Sequence, residues 1–284
     1  MRDVLVTQSE SSVAASLITG GDRTGLAATT AHFPVDPVDP VGPVGPVGPV
    51  DPSSTASGSE PLLAVTSLLR AALMECAPPA ATRRIFAHPC FALACVDAYE
   101  DLTAFVVKDP AQQGSWNVTL TGSTSYKAIL HYRLASALIS MANADPHGAD
   151  GFESYALLVS NRGKLLSGAE IHPRCTIGKR FVLDHGWGTV IGETSVLGDD
   201  CYLLGGVTLG AAGMAGNPSV RRHPTLGNRV QVGAFARVFG NILIGDDVFI
   251  GTHCCVTQTI PANSVVTLRS ENQVVRAATA GCRA

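Results

Sequence analysis

The sequence predicts an α+β chain in which an N-terminal helical subdomain leads into a parallel β-helix of hexapeptide repeats, and three observations carry this. Between residues 171 and 256 an aliphatic residue returns at every sixth position, usually followed by Gly. Ahead of that stretch lie apolar residues at helical spacing, and ahead of those Pro recurs at every third position. A period of six suits neither a helix nor an ordinary strand. It suits short flat faces wound into a triangular prism, with one aliphatic residue per face pointing inward.

Residues 1–60 are expected to be a disordered arm with a Pro-rich linker. Residues 1–34 have no period and many Ser, Thr and Gly. From Val35-Asp36-Pro37 to Val50-Asp51-Pro52 the recurring Pro excludes helix and favours an extended, polyproline-like spacer, read as a plain linker rather than an adaptor ligand. The chain lacks a basic start followed by a long apolar run, so no secretory signal is expected.

Residues 61–160 read as a helical subdomain. Leu62, Leu63, Val65, Leu68, Leu69 and Leu73 make one apolar face, and residues 91–107 and 126–141 give two further helices. His131 is expected on a helix surface, not as a ligand.

Residues 161–266 are the β-helix and residues 267–284 a tail. The repeat runs in three registers: Ile171, Ile177, Leu183; then Ile191, Leu197, Leu203, Leu209; then Leu226, Val232, Val238, Ile244, Ile250, Val256. The Gly after the aliphatic residue is expected where the chain turns a corner. Two residues before each aliphatic lies a second inward position, small or β-branched, held by Ala169, Cys175, Thr189, Ser195, Cys201, Val207, Val230, Ala236, Ile242, Val248 and Cys254. Three cysteines are thereby core hydrophobes, and no CxxC spacing argues for a metal or redox role.

Composition narrows the function classes. A net charge of −3 and few aromatics do not suit nucleic-acid binding, and no run of eighteen apolar residues suits a membrane span. Eight cysteines, several at core positions, suit a reducing cytoplasm.

Two interruptions break the repeat, and loops that a solenoid core does not require commonly carry function. The first adds two residues between Leu183 and Ile191 and contains Asp184-His185; the second adds eleven between Leu209 and Leu226 and contains Arg222-His223. Near the first, His172 and Asp184 replace the Gly after the aliphatic, and Glu170 adjoins Ile171.

At these residues the chain resembles the serine O-acetyltransferase family, within the wider hexapeptide-repeat, left-handed β-helix acyltransferases. Glu170-Ile171-His172-Pro173, Leu183-Asp184-His185-Gly186, Ile191-Gly192-Glu193-Thr194, Val207-Thr208-Leu209-Gly210, Arg222-His223-Pro224 and Gly240-Asn241-Ile242 occur in the family's order, within a match over residues 109–264. The DH and RHP blocks are more specific than the repeat, which sugar and antibiotic acyltransferases share. The resemblance implies a left-handed coil and transfer of the acetyl group of acetyl-CoA to the side-chain hydroxyl of L-serine, in cysteine or related amino-acid biosynthesis. It also implies a homotrimer or dimer of trimers, and no metal.

A serine hydroxyl attacks a thioester only with a base of pKa near ~7 within hydrogen-bond reach, and His185 is the candidate. By resemblance the carboxylate that orients it is at position 170, where this chain has Glu170 in place of the family's Asp. Arg222 suits the amino-acid carboxylate bidentately. Asp184 and Asp109 resemble the family's two aspartates that take the ammonium, and His223 lies beside the acceptor hydroxyl. No Cys or Ser sits beside the His as a nucleophile, so direct transfer in a ternary complex is expected. The coenzyme is expected along the groove between neighbouring prisms, at Gly210, Gly233, Ala234, Gly240 and Gly251. The chain ends Gly281-Cys282-Arg283-Ala284, whereas family members that dock into cysteine synthase end in Ile, so docking through the C-terminus is not expected.

Three alternatives stand beside this reading. The acceptor is homoserine or another hydroxy amino acid; or the chain is a zinc hydratase of the γ-carbonic-anhydrase type, with His185, His223 and His253 on one metal between subunits; or the solenoid is a catalytically silent scaffold.

Overall fold

The computed structural model describes residues 59–145, 151–214, 216 and 220–268. The arm expected over residues 1–60 lies outside the described residues but for Ser59 and Glu60, as does the tail beyond Leu268.

The described chain begins with helices α1 (Ser59–Cys76), α2 (Pro79–Ala87), α3 (Pro89–Lys108), α4 (Trp116–Gly122), α5 (Thr124–Ala144) and α6 (Phe152–Ser167). Their ends follow local chemistry. Pro opens α2 and α3, where its missing N–H is no loss, while Ser115 and Ser123 cap α4 and α5 through their hydroxyls. In α1 the buried stripe is Val65, Leu69 and Leu73; Leu63 and Leu68, expected on the same face, are exposed because they fall outside this i, i+4 row.

Helix α5 is buried nearly all round, packed on α3 and α6 and against the first coil of the solenoid. His131 is therefore not on a helix surface as expected: it is buried, its Nδ1 2.7 Å from the carbonyl of Lys127. The α6 backbone comes so close that a Cβ on Gly163 would stand 2.7 Å from the Cβ of His131.

Residues 170–266 form three parallel sheets of two- and three-residue strands, in which each strand pairs with the third strand before and after it, except that the last, Val265–Val266, pairs with Phe249–Ile250, two strands earlier, because the second face of that coil is only a single bridge between Ile244 and Ile260. The first face holds Glu170–Ile171, Val190–Ile191, Thr208–Gly210, Arg237–Phe239 and Cys255–Val256. The second holds Thr176–Ile177, Val196–Leu197, Thr225–Leu226 and Leu243–Ile244, and the third Val182–Leu183, Tyr202–Leu203, Gln231–Val232, Phe249–Ile250 and Val265–Val266. The chain is a parallel β-helix with three faces per coil. Every repeat aliphatic is buried, and so is every second inward residue except Ile242, which packs half-buried against the core.

The glycines that directly follow the repeat aliphatics serve closeness rather than dihedral freedom, none of them having positive φ. A Cβ on Gly198 would lie 2.7 Å from the carbonyl carbon of Gly227 in the next coil, so no side chain fits. Positive φ falls instead on later corner residues such as Arg180, Asp200, Arg229, Asp247, Phe235 and His253.

Helix α5 also closes the open end of the prism, whose first coil would otherwise present unpaired backbone groups. Tyr132 donates its hydroxyl to the carbonyl of Cys175 (3.0 Å) and accepts from the amide of Ile177 (3.0 Å). Arg133 donates to the carbonyls of Ile177 (2.8 Å) and Gly178 (2.5 Å) and forks onto the buried carboxylate of Asp101 (2.7 and 3.0 Å), which also accepts from the amide of Phe181.

Candidate functional site

The two interruptions fall on different corners of the prism. Asp184 and His185 sit where the chain passes from the third face to the first; Arg222 and His223 sit where it passes from the first to the second.

At the third-to-first corner His185 adopts a left-handed backbone (φ 51) and turns its ring outward, 84% exposed, with Nε2 3.7 Å from Oδ1 of Asp184. The other oxygen of Asp184 accepts from the hydroxyl of Tyr202 (3.0 Å). Burial, then the charges of Asp184 and Asp109, push the Tyr202 phenol well above its ordinary range, so it stays a donor. Asp109 ends α3, where Oδ1 accepts from the amide of Ala111 (2.9 Å) and Oδ2 from the side-chain amide of Gln112 (2.5 Å). Gln112 is itself held by the hydroxyl of Thr119 (2.9 Å). Among the described residues neither aspartate is in an ion pair with Lys or Arg. Both carboxylates accept hydrogen bonds from neutral donors, Asp184 from Tyr202 and Asp109 from Ala111 and Gln112.

At the first-to-second corner Thr194 organises the stem of the long interruption. Its hydroxyl accepts the amides of Arg222 (3.0 Å) and His223 (3.1 Å), and its own amide donates to Nδ1 of His223 (3.1 Å). The neutral His223 ring thus carries its proton on Nε2. Burial, then the positive charge of Arg222, push its pKa down, against the opposing pull of Glu193; burial does the same to His172 nearby. The ring covers Gly192, where a Cβ would come within 2.2 Å of it. Arg222 donates to Glu193 (2.5 Å), which holds the Glu193 carboxyl below the usual range.

Among the described residues no hydrogen bond or ion pair joins Glu170 to His185. Glu170 lies at the start of the first face with its side chain outward, where Lys164 of α6 takes its carboxylate; the carboxylate beside the imidazole is Asp184. The five coenzyme candidates also divide. Gly210 and Gly240, joined by an amide-to-carbonyl bond of 2.9 Å, share the corner of Arg222, and Gly240 has φ +95. Gly233, Ala234 and Gly251 lie on the corner of His185, further along the axis. The trio weighed for zinc is split in the same way, His185 and His253 on one corner and His223 on the other, and His253 stacks on Phe235 with centroids 5.3 Å apart.

Sequence reasoning did not assign roles to Tyr202, Gln112, Thr194 or Glu193. The signal was coil-to-coil stacking: residues separated by three repeats plus any intervening insertion lie above one another, which places Thr194 against His223.

No protein-family model matches the chain. It is similar to the serine acetyltransferase of Helicobacter pylori, 41% identical over 169 residues, or 60% of this chain and 91% of that protein. The serine acetyltransferase of Bacillus subtilis is 36% identical over 167 residues, 59% of this chain and 71% of that protein. Among solved structures, the serine acetyltransferase of Neisseria gonorrhoeae in complex with serine superposes with a TM-score of 0.60 at 28% identity, covering 72% of this chain and 82% of the other. The Entamoeba histolytica serine acetyltransferase isoform 3 in complex with cysteine gives 0.59 at 28% identity, covering 78% and 73%. Among the described residues no helix is long and apolar enough to cross a membrane.

Proposed function

Given that the chain belongs to the serine acetyltransferase family, we propose that it binds its amino acid where the Asp109–Asp184–His185 corner of one copy meets the Arg222–His223 corner of another. The chain is an acyltransferase that moves an acetyl group to the hydroxyl of serine, with acetyl-CoA as co-substrate. The observation that carries the site assignment is the partition itself. One chain holds ammonium-binding carboxylates on one corner and a guanidinium for the carboxylate on another, with the first face between them. Three copies around a threefold axis, alone or as two stacked trimers, place each corner against its complement and close three equal sites per trimer.

In that site Asp109 and Asp184 receive the ammonium, and Arg222 exchanges Glu193 for the substrate carboxylate. His185 accepts the hydroxyl proton as the oxygen attacks the thioester carbonyl carbon, while Nε2–H of His223 donates toward the acceptor oxygen. The C–S bond then breaks, and the leaving thiolate takes the proton back from His185. For Glu170 to orient His185, its carboxylate exchanges Lys164 for the imidazole. Gly210 and Gly240 of one copy, facing Gly233, Ala234 and Gly251 of the next, line the groove for the coenzyme. Resemblance to the family supports a left-handed coil, and the seven free thiols among the described residues suit a cytoplasmic setting.

The test is thiol release from acetyl-CoA by the purified protein offered serine or homoserine. Release with serine is expected; release with neither amino acid would overturn the reading.

A further inference from the structure

Asp184 stands between two competing partners. Its Oδ2 accepts from Tyr202, and its Oδ1 faces Nε2 of His185 at 3.7 Å. Asp184 is mostly buried whereas the His185 ring is open to solvent, so the imidazole is free to approach and the carboxylate needs a fixed orientation. Tyr202 is placed to supply it. It pairs with Val182 across neighbouring coils of the third face, and Asp184 is the second residue after Val182, so the phenol reaches one coil along the axis.

The type of donor matters. A Lys or Arg in this place would cancel the charge that an ammonium group is to meet, and an aliphatic residue would leave the carboxylate to turn onto His185. A phenol fixes one oxygen and leaves the net charge intact.

We propose that Tyr202 is a positioning residue for ammonium recognition, pinning Asp184 so that one oxygen stays open to the amino group of serine and the carboxylate does not close on the catalytic imidazole. This rests on the reading of the chain as a serine acetyltransferase whose ammonium site includes Asp184. Tyr202 touches neither the reacting oxygen nor the acetyl group, so its effect falls on serine binding rather than on the chemical step.

The experiment is Tyr202→Phe in the full chain, which keeps the ring and removes the hydroxyl. KM for serine is expected to rise about tenfold, with kcat within about twofold of the parent. The readout that a general structural defect would not reproduce is inhibition by 3-hydroxypropionate, which has the hydroxyl and carboxylate of serine without the ammonium. Its inhibition constant is expected to be the same for both proteins. An unchanged KM for serine, or equal weakening of serine and 3-hydroxypropionate, overturns the role of Tyr202 while the parent remains active. A parent inactive with serine overturns instead the reading on which it rests.

Discussion

Thr194 holds His223 from two sides: its backbone amide donates to Nδ1 of the ring (3.1 Å) and its hydroxyl accepts the backbone amide of His223 (3.1 Å). Because the same hydroxyl accepts the amide of Arg222 (3.0 Å), one side chain sets both residues of the pair. Thr194→Val keeps the shape and removes the hydroxyl. It is expected to lower kcat/KM by about tenfold or more, while Thr194→Ser retains most activity. Steady-state kinetics of the two variants check this.

The same corner makes stability depend on pH. Burial lowers the pKa of His172 and His223 below the ordinary histidine value. As pH falls through about 6.5 the unfolded chain takes up protons that the folded chain refuses, so the folded state loses stability until the depressed folded values are reached. Above that range the contribution is complete. Melting temperature measured from pH 8 to pH 5 is expected to fall on the acid side, and less steeply in His172→Asn.

The junction between helices and solenoid rests on Asp101 and Arg133, a buried bidentate pair that also answers backbone groups of the first coil. Asp101→Ala leaves a buried guanidinium without its counter-charge and is expected to cost about 3–5 kcal/mol of stability. Chemical denaturation checks this, with a loss under about 1 kcal/mol contradicting it.

The prism was legible because its period is a core period: each repeat aliphatic and its small companion point inward, and burial follows residue by residue. The corners were less legible. Glycine there signals coil-to-coil closeness, while the left-handed turns fall on residues such as Asp200 and Arg229 that carry no compositional mark. Among the helices, α6 shows little apolar periodicity because three of its buried residues are the small Ala156, Gly163 and Ser167, beside Phe152 and Val159, while Leu157, Leu158 and Leu165 face outward. His131 was misjudged because α5 is covered on more than one side, which a single-face pattern does not reveal. In the site, motif order singled out His185, Arg222 and His223 as candidates but not their placement on separate corners, nor the pairing of Glu170 with Lys164, since both depend on winding.

The division of the site between two copies is tested most directly by mixing two inactive variants. His185→Ala and Arg222→Ala, each purified without activity, are unfolded together, refolded and assayed with acetyl-CoA and serine. Random assembly leaves about a quarter of the sites with both residues intact, so about a quarter of the parent activity is expected to return. A mixture as inactive as its components, although mixed oligomers form, would contradict the account.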